Sequence, residues 1–265
     1  MISKTFCIAR MIVLASFAVS SAAWAATCSN ASLSGTYGFL HGGVDSHGAP
    51  AAAVTQATFD STTGTFTGED TENIDGVMVP SSVTATYEVA KDCTVTAQVT
   101  LTTGGQSENV NVSFVVTSKG FLFLFQKPGG ISSGFGVKQG SPTCTNAGVE
   151  GVFGFETTGL FLTGAPATGP VAFIGELKLT VDPAGKGVIS GQIAGSEDGT
   201  ILTFAEEPVT GSYRVNMDCR GTATIKPEGQ PEMHFSFVVV DDGKEMLVVE
   251  TDSDSVVNGT LVKGN

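Results

Sequence analysis

The sequence predicts an all-β protein made of two tandem antiparallel β-barrels with roughly eight strands each. Three observations support this prediction. Several segments alternate apolar and polar residues with a period of two, which is typical of half-buried strands. An internal repeat divides the chain into two similar units. Glycine is frequent, with 34 in 265 residues, and many glycines lie between the alternating segments, where turns are expected.

The alternation is clearest in residues 83–89, 95–101, 177–181 and 233–237. β-Branched and aromatic residues, which favour strands, are concentrated in these segments. Turn residues separate them at intervals of roughly 8–12 residues, as in sandwiches and barrels. Residues 121–125 are continuously apolar, which predicts a central strand buried on both faces. An eight-stranded barrel has room for packed side chains or for one small ligand.

The internal repeat is defined by four landmarks that recur in the same order: a cysteine, a Tyr-x-Val segment, an Asp-Cys pair and a Ser-Phe-Val-Val segment. The paired segments are residues 28–39 with 144–155, residues 86–93 with 212–219, and residues 113–116 with 236–239. Each unit has about 115–120 residues, a common size for one domain. The repeat therefore predicts a first barrel domain over residues 27–143 and a second over residues 144–265.

The N-terminus has the features of a secretory signal peptide over residues 1–26. Lys4 and Arg10 are basic, residues 11–19 form a short apolar segment, and residues 23–25 match the small-x-small cleavage pattern. The apolar segment is short for a transmembrane anchor. We therefore expect a secreted or periplasmic protein that is not inserted in a membrane after cleavage.

The cysteines also indicate two independent units. Cys7 would be removed with the signal peptide, and the remaining four cysteines allow three pairings. The repeat selects Cys28 with Cys93 and Cys144 with Cys219, because each unit then holds an equivalent pair. Both should be oxidised outside the cytoplasm. On the loop-entropy argument, each bond would contribute about 4 kcal/mol to stability. A thiolate metal site is disfavoured, because no Cys-x-x-Cys spacing is present.

The charge balance limits the possible partners. The chain has 13 Lys and Arg against 26 Asp and Glu, a net charge of −13. Nucleic acids and anionic membrane surfaces would repel such a protein. We expect no nucleic-acid partner.

The order of the landmarks resembles a group of secreted bacterial proteins of unknown function that is similar to the allene oxide cyclase-type barrels of the calycin-like class. The residues that carry the resemblance are Cys28, Asn30, Gly35, Tyr37, Phe39, Thr58, Phe59, Asp60, Gly64, Tyr87, Val89, Asp92 and Cys93, with their counterparts in the second unit. The sequence departs from the group at Thr63 and Gly64, where the group usually has Asp-Gly-x-Gly. The resemblance implies β-barrels that either confine a reactive substrate or bind a molecule without chemistry. No catalytic motif of the cyclases matches, so no catalytic residue is assigned.

Two groups of polar residues offer candidate metal ligands. His41, Asp45 and His47 lie in a glycine-rich segment that could bind a metal, but the second unit has no equivalent, and a polar loop tip is the favoured interpretation. The acidic residues of 69–75 and 252–254 could bind calcium, although a solvated surface is the commoner role. We assign no metal site and no cofactor.

Two function classes remain, with a third that is less favoured. The first is a non-enzymatic binding module for a small apolar molecule, and the second is a structural or surface-interaction protein with filled barrels. The third is a cyclase or isomerase that acts by confinement. Cavity volume separates the first two classes, and a titratable side chain inside a cavity would favour the third.

The inward faces of the strands are the predicted ligand-binding surface. Side chains two residues apart along a strand lie on the same face, so the alternation indicates which side chains point into the barrel. The predicted ligand-binding residues are Tyr213, Met217, Phe235 and Phe237 in the second unit and Tyr87 in the first. Because two phenylalanines and a methionine occupy this face of the second unit, we expect its interior to be nearly filled.

Overall fold

The computed structural model describes residues 27–127, 129–162, 168–197, 200–202 and 208–264. The predicted signal peptide lies outside these residues. The described chain is all-β and forms two closed antiparallel barrels of eight strands, which confirms the predicted fold class. Within this part of the chain, no helix is long and apolar enough to cross a membrane.

The first barrel is a simple meander in which each strand pairs with the next and β8 closes the ring on β1. Its strands are β1 (Gly35–Val44), β2 (Pro50–Asp60), β3 (Thr65–Ile74), β4 (Val77–Val89), β5 (Thr94–Thr103), β6 (Gln106–Val116), β7 (Gly120–Lys127) and β8 (Gly130–Lys138). A 3-10 turn, Asn30–Ser32, precedes β1.

The second barrel repeats this arrangement with one additional short strand. Its strands are β9 (Gly151–Phe161), β10 (Gly169–Val181), β11 (Gly187–Glu197), β12 (Thr200–Leu202), β13 (Pro208–Val215), β14 (Arg220–Pro227), β15 (Met233–Val240), β16 (Glu245–Glu250) and β17 (Ser255–Lys263). The ring runs from β10 through β9, β17, β16, β15, β14, β13 and β11 back to β10, and β12 pairs with β11 outside it. Two further 3-10 turns are Asn146–Val149 before β9 and Asp241–Gly243 before β16.

The repeated landmarks close one end of the first barrel. The side-chain oxygen of Asn30 accepts a hydrogen bond from the backbone N–H of Val89 at 2.9 Å. The hydroxyl of Tyr87 donates to the carbonyl of Leu33 at 2.9 Å. These bonds hold the segment before β1 across the end of the barrel, where Leu33 is completely buried.

The second barrel is closed by the equivalent residues. Asn146 accepts from the backbone N–H of Val215 at 2.8 Å, and the hydroxyl of Tyr213 donates to the carbonyl of Asn146 at 2.9 Å. Burial, and then the negative charge of Glu150, raise the pKa of Tyr213 to about 12, so its hydroxyl remains a donor at physiological pH. The repeated tyrosines and asparagines therefore have a structural role.

In each barrel, the disulfide joins the same two segments that these hydrogen bonds join. Cys28 is bonded to Cys93 and Cys144 to Cys219, as the repeat predicted. Cys93 and Cys219 both have positive φ angles, 70° and 68°, in the tight turns that follow β4 and β13. Two such bonds are typical of proteins that fold in an oxidising compartment outside the cytoplasm.

The two barrels pack side against side through an apolar cluster. It comprises Leu40, Ala52 and Val54 from the first barrel and Val238, Val240, Leu247, Val249 and Val256 from the second. Gly38 lets the two barrels approach closely, because a Cβ there would come within 2.6 Å of a methyl group of Val240. The amide of Asn73 crosses this contact and donates to the carbonyls of Glu250 at 3.0 Å and Ser255 at 2.9 Å.

Strand β7 differs from its prediction. Its phenylalanines, Phe121, Phe123 and Phe125, face the interior, but Leu122 is 58% exposed and Leu124 is 38% exposed. The prediction of a strand buried on both faces was therefore wrong. A strand that is buried on both faces needs a second layer of structure over its outer face, and a continuous apolar run does not show whether that layer exists. The outer face of β7 carries the exposed Leu122 and Leu124.

Removing the tyrosine hydroxyls tests the role of the barrel ends. Tyr87→Phe should lower the free energy of unfolding by about 1–2 kcal/mol, because it leaves the buried carbonyl of Leu33 without its donor. Tyr213→Phe should cost less, since its bond to Asn146 is only partly buried. Urea denaturation of the two variants measures both changes. Unfolding midpoints equal to that of the wild type would show that the hydroxyls do not hold the ends.

Candidate functional site

A cavity of about 50 Å³ lies inside the first barrel and is the candidate functional site. Its apolar wall consists of Phe39, Phe66, Val83, Val99, Leu101, Val112, Phe114, Phe123 and Phe125. Its polar wall consists of His41, Thr55, Asp70 and Glu72. A space of this size holds about one or two water molecules, at about 30 Å³ for each, so the first barrel is not completely filled.

An aromatic layer separates the cavity from the end of the barrel closed by Tyr87. Tyr37 and Phe59 meet edge to face with ring centroids 5.3 Å apart, and Phe59 meets Tyr87 in the same way at 5.2 Å. Phe121 lies 5.5 Å from Tyr37 and is 1% exposed. The polar wall therefore lies towards the opposite end of the barrel.

Strand register brings the polar residues together. Across β1, β2 and β3, Phe39 pairs with Thr55 and Thr55 with Asp70. One step further along, His41 pairs with Ala53 and Ala53 with Glu72. Side chains two residues apart share a face of a strand, so all the polar residues of these rows point inward.

The geometry around Asp70 links three side chains. The Thr55 hydroxyl donates a hydrogen bond of 2.5 Å to Asp70 Oδ1. His41 Nε2 lies 3.9 Å from the same oxygen, which is the outer limit of an ion pair. Asp70 is 6% exposed and Glu72 is 7% exposed, so both carboxyl groups lie in the barrel wall away from bulk water.

The imidazole of His41 is held by aromatic rings. Its centroid lies 5.7 Å from that of Phe123 at 74° and 6.2 Å from that of Phe125. Its Nδ1 atom is buried and has no hydrogen-bond partner among the described residues. A molecule in the cavity with a polar hydrogen or a lone pair would find there a group able to bind it.

Chemically, this arrangement provides an apolar chamber with an acidic wall and one imidazole. It can bind a small molecule and orient one polar end of it. The described residues contain no group of three or more His, Cys, Asp or Glu side chains placed to hold a metal ion.

The structure corrects two interpretations of these residues. The sequence predicted that His41 and His47 share a polar loop. His41 instead lies on β1 and faces the cavity. His47 does lie in an exposed turn, where its backbone N–H donates to Asp45. Asp70 and Glu72 were assigned to a solvated acidic segment, but they face inward from β3. The available signal was the period of two through Phe66, Gly68, Asp70 and Glu72, which places both acids on the face of Phe66.

The predicted ligand-binding residues do not line this cavity. Tyr87 belongs to the closed end of the first barrel, and Tyr213 to that of the second. Phe235 and Phe237 are 3% and 4% exposed and belong to the packed core of the second barrel. No measurement of binding tests their assignment as ligand contacts, which stays a prediction.

Met217 was predicted to point inward, and this is wrong. It is 95% exposed. β13 ends at Val215, and the backbone N–H of Cys219 then donates to the carbonyl of Asn216, which forms a tight turn before β14. The alternation of the strand does not continue into a turn, so a residue two positions after Val215 does not share its face.

Buried polar groups lie among the described inward side chains of the second barrel. Glu250 is 3% exposed and lies on the inward face of β16, together with Met246 and Val248. Glu250 Oε2, Thr157 Oγ1 and Ser255 Oγ are buried without a hydrogen-bond partner among the described residues. Burial, and then the charge of Asp252, raise the pKa of Glu250 to about 8.

One residue of the acidic segment 252–254, Asp252, contacts a histidine side chain. Asp252 Oδ1 lies 2.8 Å from Nδ1 of His234, whose side chain is 48% exposed. The other carboxylate oxygen of Asp252 accepts the backbone N–H of His234 at 2.8 Å. Asp252 therefore contributes to the contact between β15 and the turn after β16.

Comparisons with known proteins yield weak structural similarities. No protein-family model and no curated protein matches the chain. A protein of unknown function of the DUF3598 family from Nostoc punctiforme is 12% identical, with a TM-score of 0.27, over 88% of this chain and 97% of that one. A β-barrel-like protein of the DUF1849 group from Brucella abortus is 13% identical, with a TM-score of 0.22, over 87% and 97% of the two chains.

A third similar structure is transferrin binding protein B, isotype 1, from serogroup B Neisseria meningitidis. It is 8% identical, with a TM-score of 0.29, over 88% of this chain and 75% of that one. These similarities do not support the resemblance to the allene oxide cyclase-type barrels. At such scores the similarities carry no argument about function.

Proposed function

We propose that the protein binds a small, mainly apolar molecule in the cavity of its first barrel and that it does so outside the cytoplasm. The observation that carries the proposal is the cavity inside the first barrel, between Phe39, Phe66 and Phe114. In the second barrel, the described inward side chains form one packed core cluster. Apolar walls with a few convergent polar groups are typical of ligand pockets.

Location outside the cytoplasm is supported by two independent features. The first is the predicted signal peptide, and the second is the pair of disulfides. N-terminal sequencing of the exported protein should begin near residue 27. An N-terminus at Met1 in the mature protein would contradict this part of the proposal.

A matched pair of variants tests whether the cavity binds a ligand. Val83 lines the cavity, and Val209 occupies the equivalent position four residues before the tyrosine in the second barrel, where it is 1% exposed. Val83→Leu should fill part of the cavity and leave stability nearly unchanged. Val209→Leu should cost about 1–3 kcal/mol, because it overpacks a filled core.

Xenon is a suitable first ligand, because it enters apolar cavities and can be detected by NMR or in crystals. The wild type and Val209→Leu should bind xenon inside the first barrel, and Val83→Leu should bind it much more weakly. Absence of xenon from the wild-type cavity would contradict the proposal. Equal xenon binding by the wild type and Val83→Leu would place the bound gas elsewhere.

A second candidate function is isomerisation or cyclisation of a confined substrate. The observation in its favour is that His41 and Asp70 face the cavity, with His41 Nε2 and Asp70 Oδ1 3.9 Å apart. Such a pair can move a proton on a bound molecule. Once a ligand is identified, NMR of the released ligand separates the two functions. An unchanged structure supports binding alone, whereas a new isomer that disappears with His41→Gln supports catalysis.

A further inference from the structure

We propose that the protein associates head to tail with further copies of itself, through a contact that repeats the one between its own two barrels. In that contact, strands β15, β16 and β17 of the second barrel pack onto β1 and β2 of the first. Each chain has a second version of both faces. The first barrel repeats the β15–β17 face, and the second barrel repeats the β1–β2 face. The proposal is independent of any ligand in the cavity.

The first open face lies on the outer side of β6, β7 and β8, and we call it the donor face. Strand register relates four of its residues to four residues in the second barrel's half of the inter-barrel contact. The pairs are Val115 with Val238, Leu122 with Leu247, Leu124 with Val249, and Ile131 with Val256. All these residues are apolar. The face that packs against a barrel in the second unit is therefore also present in the first.

The two versions of this face differ in what covers them. In the second barrel, Leu247 and Val249 are completely buried in the cluster between the barrels. In the first barrel, the equivalent of Leu247, Leu122, is 58% exposed, and its strand neighbour Val115 is 49% exposed. Single apolar residues are common on protein surfaces, whereas contiguous apolar patches mark interaction sites. The donor face therefore has the composition of an interface, and the described part of the chain leaves it open to solvent.

The second open face lies on the outer side of β9 and β10, and we call it the acceptor face. In the first barrel, the corresponding face is formed by Gly38, Leu40, Ala52 and Val54. Strand register gives their equivalents in the second barrel as Gly154, Glu156, Ala172 and Ile174. Ile174 is 62% exposed, whereas Val54 is 3% exposed beneath the second barrel. The acceptor face therefore keeps an apolar side chain where the inter-barrel contact has one.

Gly154 indicates that the acceptor face is shaped for a close contact. A Cβ on its equivalent, Gly38, would lie 2.6 Å from Val240 and 3.0 Å from Val238. A Cβ on Gly154 would approach only the backbone oxygen of Val262, at 3.8 Å, among the described residues. Glycine weakens a strand and often marks the close approach of another chain segment. Gly154 and Ile174 line an open groove, which is where Val115 of a second copy would lie.

One position of the acceptor face departs from the pattern. Glu156 lies where the first barrel has Leu40, which is buried in the inter-barrel cluster. Removing a carboxylate from water without a partner is costly, so the contact between copies should be weaker than the contact between barrels. We therefore expect association that is reversible and depends on concentration.

The donor and acceptor faces are different surfaces, so the contact between copies is heterologous. A copy that is bound through its donor face still has an open acceptor face. Further copies can then add until a ring closes or a filament forms. A contact in which one face met the same face of a second copy would stop at two chains and would not need the other face.

Sedimentation velocity of the mature protein, with both disulfides formed, tests the proposal over a range of concentrations. The mass of the wild type should rise above that of one chain as concentration increases. Leu122→Glu and Ile174→Glu should each raise the concentration needed for association at least about tenfold, because each places an unpaired carboxylate in the contact. Val77→Glu, at an exposed position on β4 outside both faces, should leave association unchanged.

Mixing the two variants tests the head-to-tail arrangement. Leu122→Glu keeps its acceptor face, and Ile174→Glu keeps its donor face. An equimolar mixture should therefore form complexes of two chains at concentrations where neither variant associates alone. If either variant does not fold, Val115→Glu replaces the first, and Gly154→Val, which fills the groove without adding charge, replaces the second.

Glu156→Leu tests the equivalence of the two contacts directly. It gives the acceptor face the residue that the first barrel has at Leu40. It should lower the concentration needed for association by about tenfold, because the buried carboxylate is replaced by an apolar contact. Association that Glu156→Leu leaves unchanged would show that the acceptor face does not repeat the β1–β2 contact.

The other outcomes are equally decisive. A wild type that keeps the mass of one chain at millimolar concentration would overturn the proposal. Association that persists in both Leu122→Glu and Ile174→Glu would place the contact on another surface. Loss of association in Leu122→Glu alone would mean that the donor face meets itself. A mixture that forms no complex of two chains would also contradict the head-to-tail contact.

Discussion

Replacing Glu250 by glutamine should stabilise the protein by several kcal/mol at pH 8 and should remove most of the pH dependence of stability between pH 5 and pH 8. Glu250 is buried inside the second barrel, and its pKa is raised to about 8 from an ordinary value of 4.5. Between these two values the folded protein retains a proton that the unfolded chain has released. Stability therefore falls as pH rises through this window, by about 1.4 kcal/mol for each pH unit.

The sign of this effect follows from which state prefers the proton. Below pH 4.5 both states are protonated at Glu250, and the group has no pH-dependent cost. Above pH 8 both states are ionised, and the full cost of burying the carboxylate near Asp252 is present. Glutamine has nearly the same shape and never carries this charge, so the cost is absent at every pH.

Urea denaturation of the wild type and Glu250→Gln at a series of pH values between 5 and 9 measures the effect. Glu176→Gln is the control, because it removes a carboxylate from an exposed position on the same barrel. The wild type and the control should lose stability in parallel as pH rises, while Glu250→Gln should not. Parallel curves for all three proteins would show that the fold compensates the charge of Glu250.

The fold could be predicted from the sequence because its determinants are local or repeated. Alternation identified strands such as β4 and β5, and the repeat fixed both disulfides by placing Cys93 and Cys219 at equivalent positions. The structure also explains why the landmarks repeat. Asn30 and Tyr87 close the end of the first barrel, and their equivalents close the second. The division into domains at residue 143 stays a prediction.

The candidate site could not be predicted in the same way, because it depends on how the interior is filled. His41 and Asp70 are far apart in sequence and meet only through the register of β1, β2 and β3. Composition favours a surface location for acidic residues, and that preference was wrong for Asp70 and Glu72. Applying the period of two to β3 without regard to polarity would have placed both inside the barrel.

The difference between the barrels also lies in side-chain packing. At the level of His41 in the first barrel, the repeat places Thr157 in the second. A small hydroxyl replaces an imidazole, and the row that runs from Thr157 through Phe173 ends at Gly195, where the first barrel has Glu72. Equivalent strands can therefore enclose a cavity in one unit and a packed core in the other.

Phe237→Ala should destabilise the protein by about 3–5 kcal/mol, as is usual when a buried phenylalanine is truncated. Phe237 is 4% exposed and lies between Val248 on β16 and Gly221 on β14. Its ring covers the backbone of Gly221, where an added Cβ would come within 2.2 Å of it. Truncation therefore removes the contacts of the ring and also uncovers the glycine beside it.

Chemical denaturation of Phe237→Ala and of a surface control, Val262→Ala, measures this cost. Val262 is 52% exposed on β17, so its truncation should change stability by less than about 0.5 kcal/mol. If the second barrel does not collapse around the missing ring, Phe237→Ala should also bind xenon inside that barrel, where the wild type should not. A denaturation midpoint equal to that of the wild type would show that Phe237 is not part of the core. The inward face assigned to β15, and with it the packed interior that distinguishes the second barrel from the first, would then be wrong.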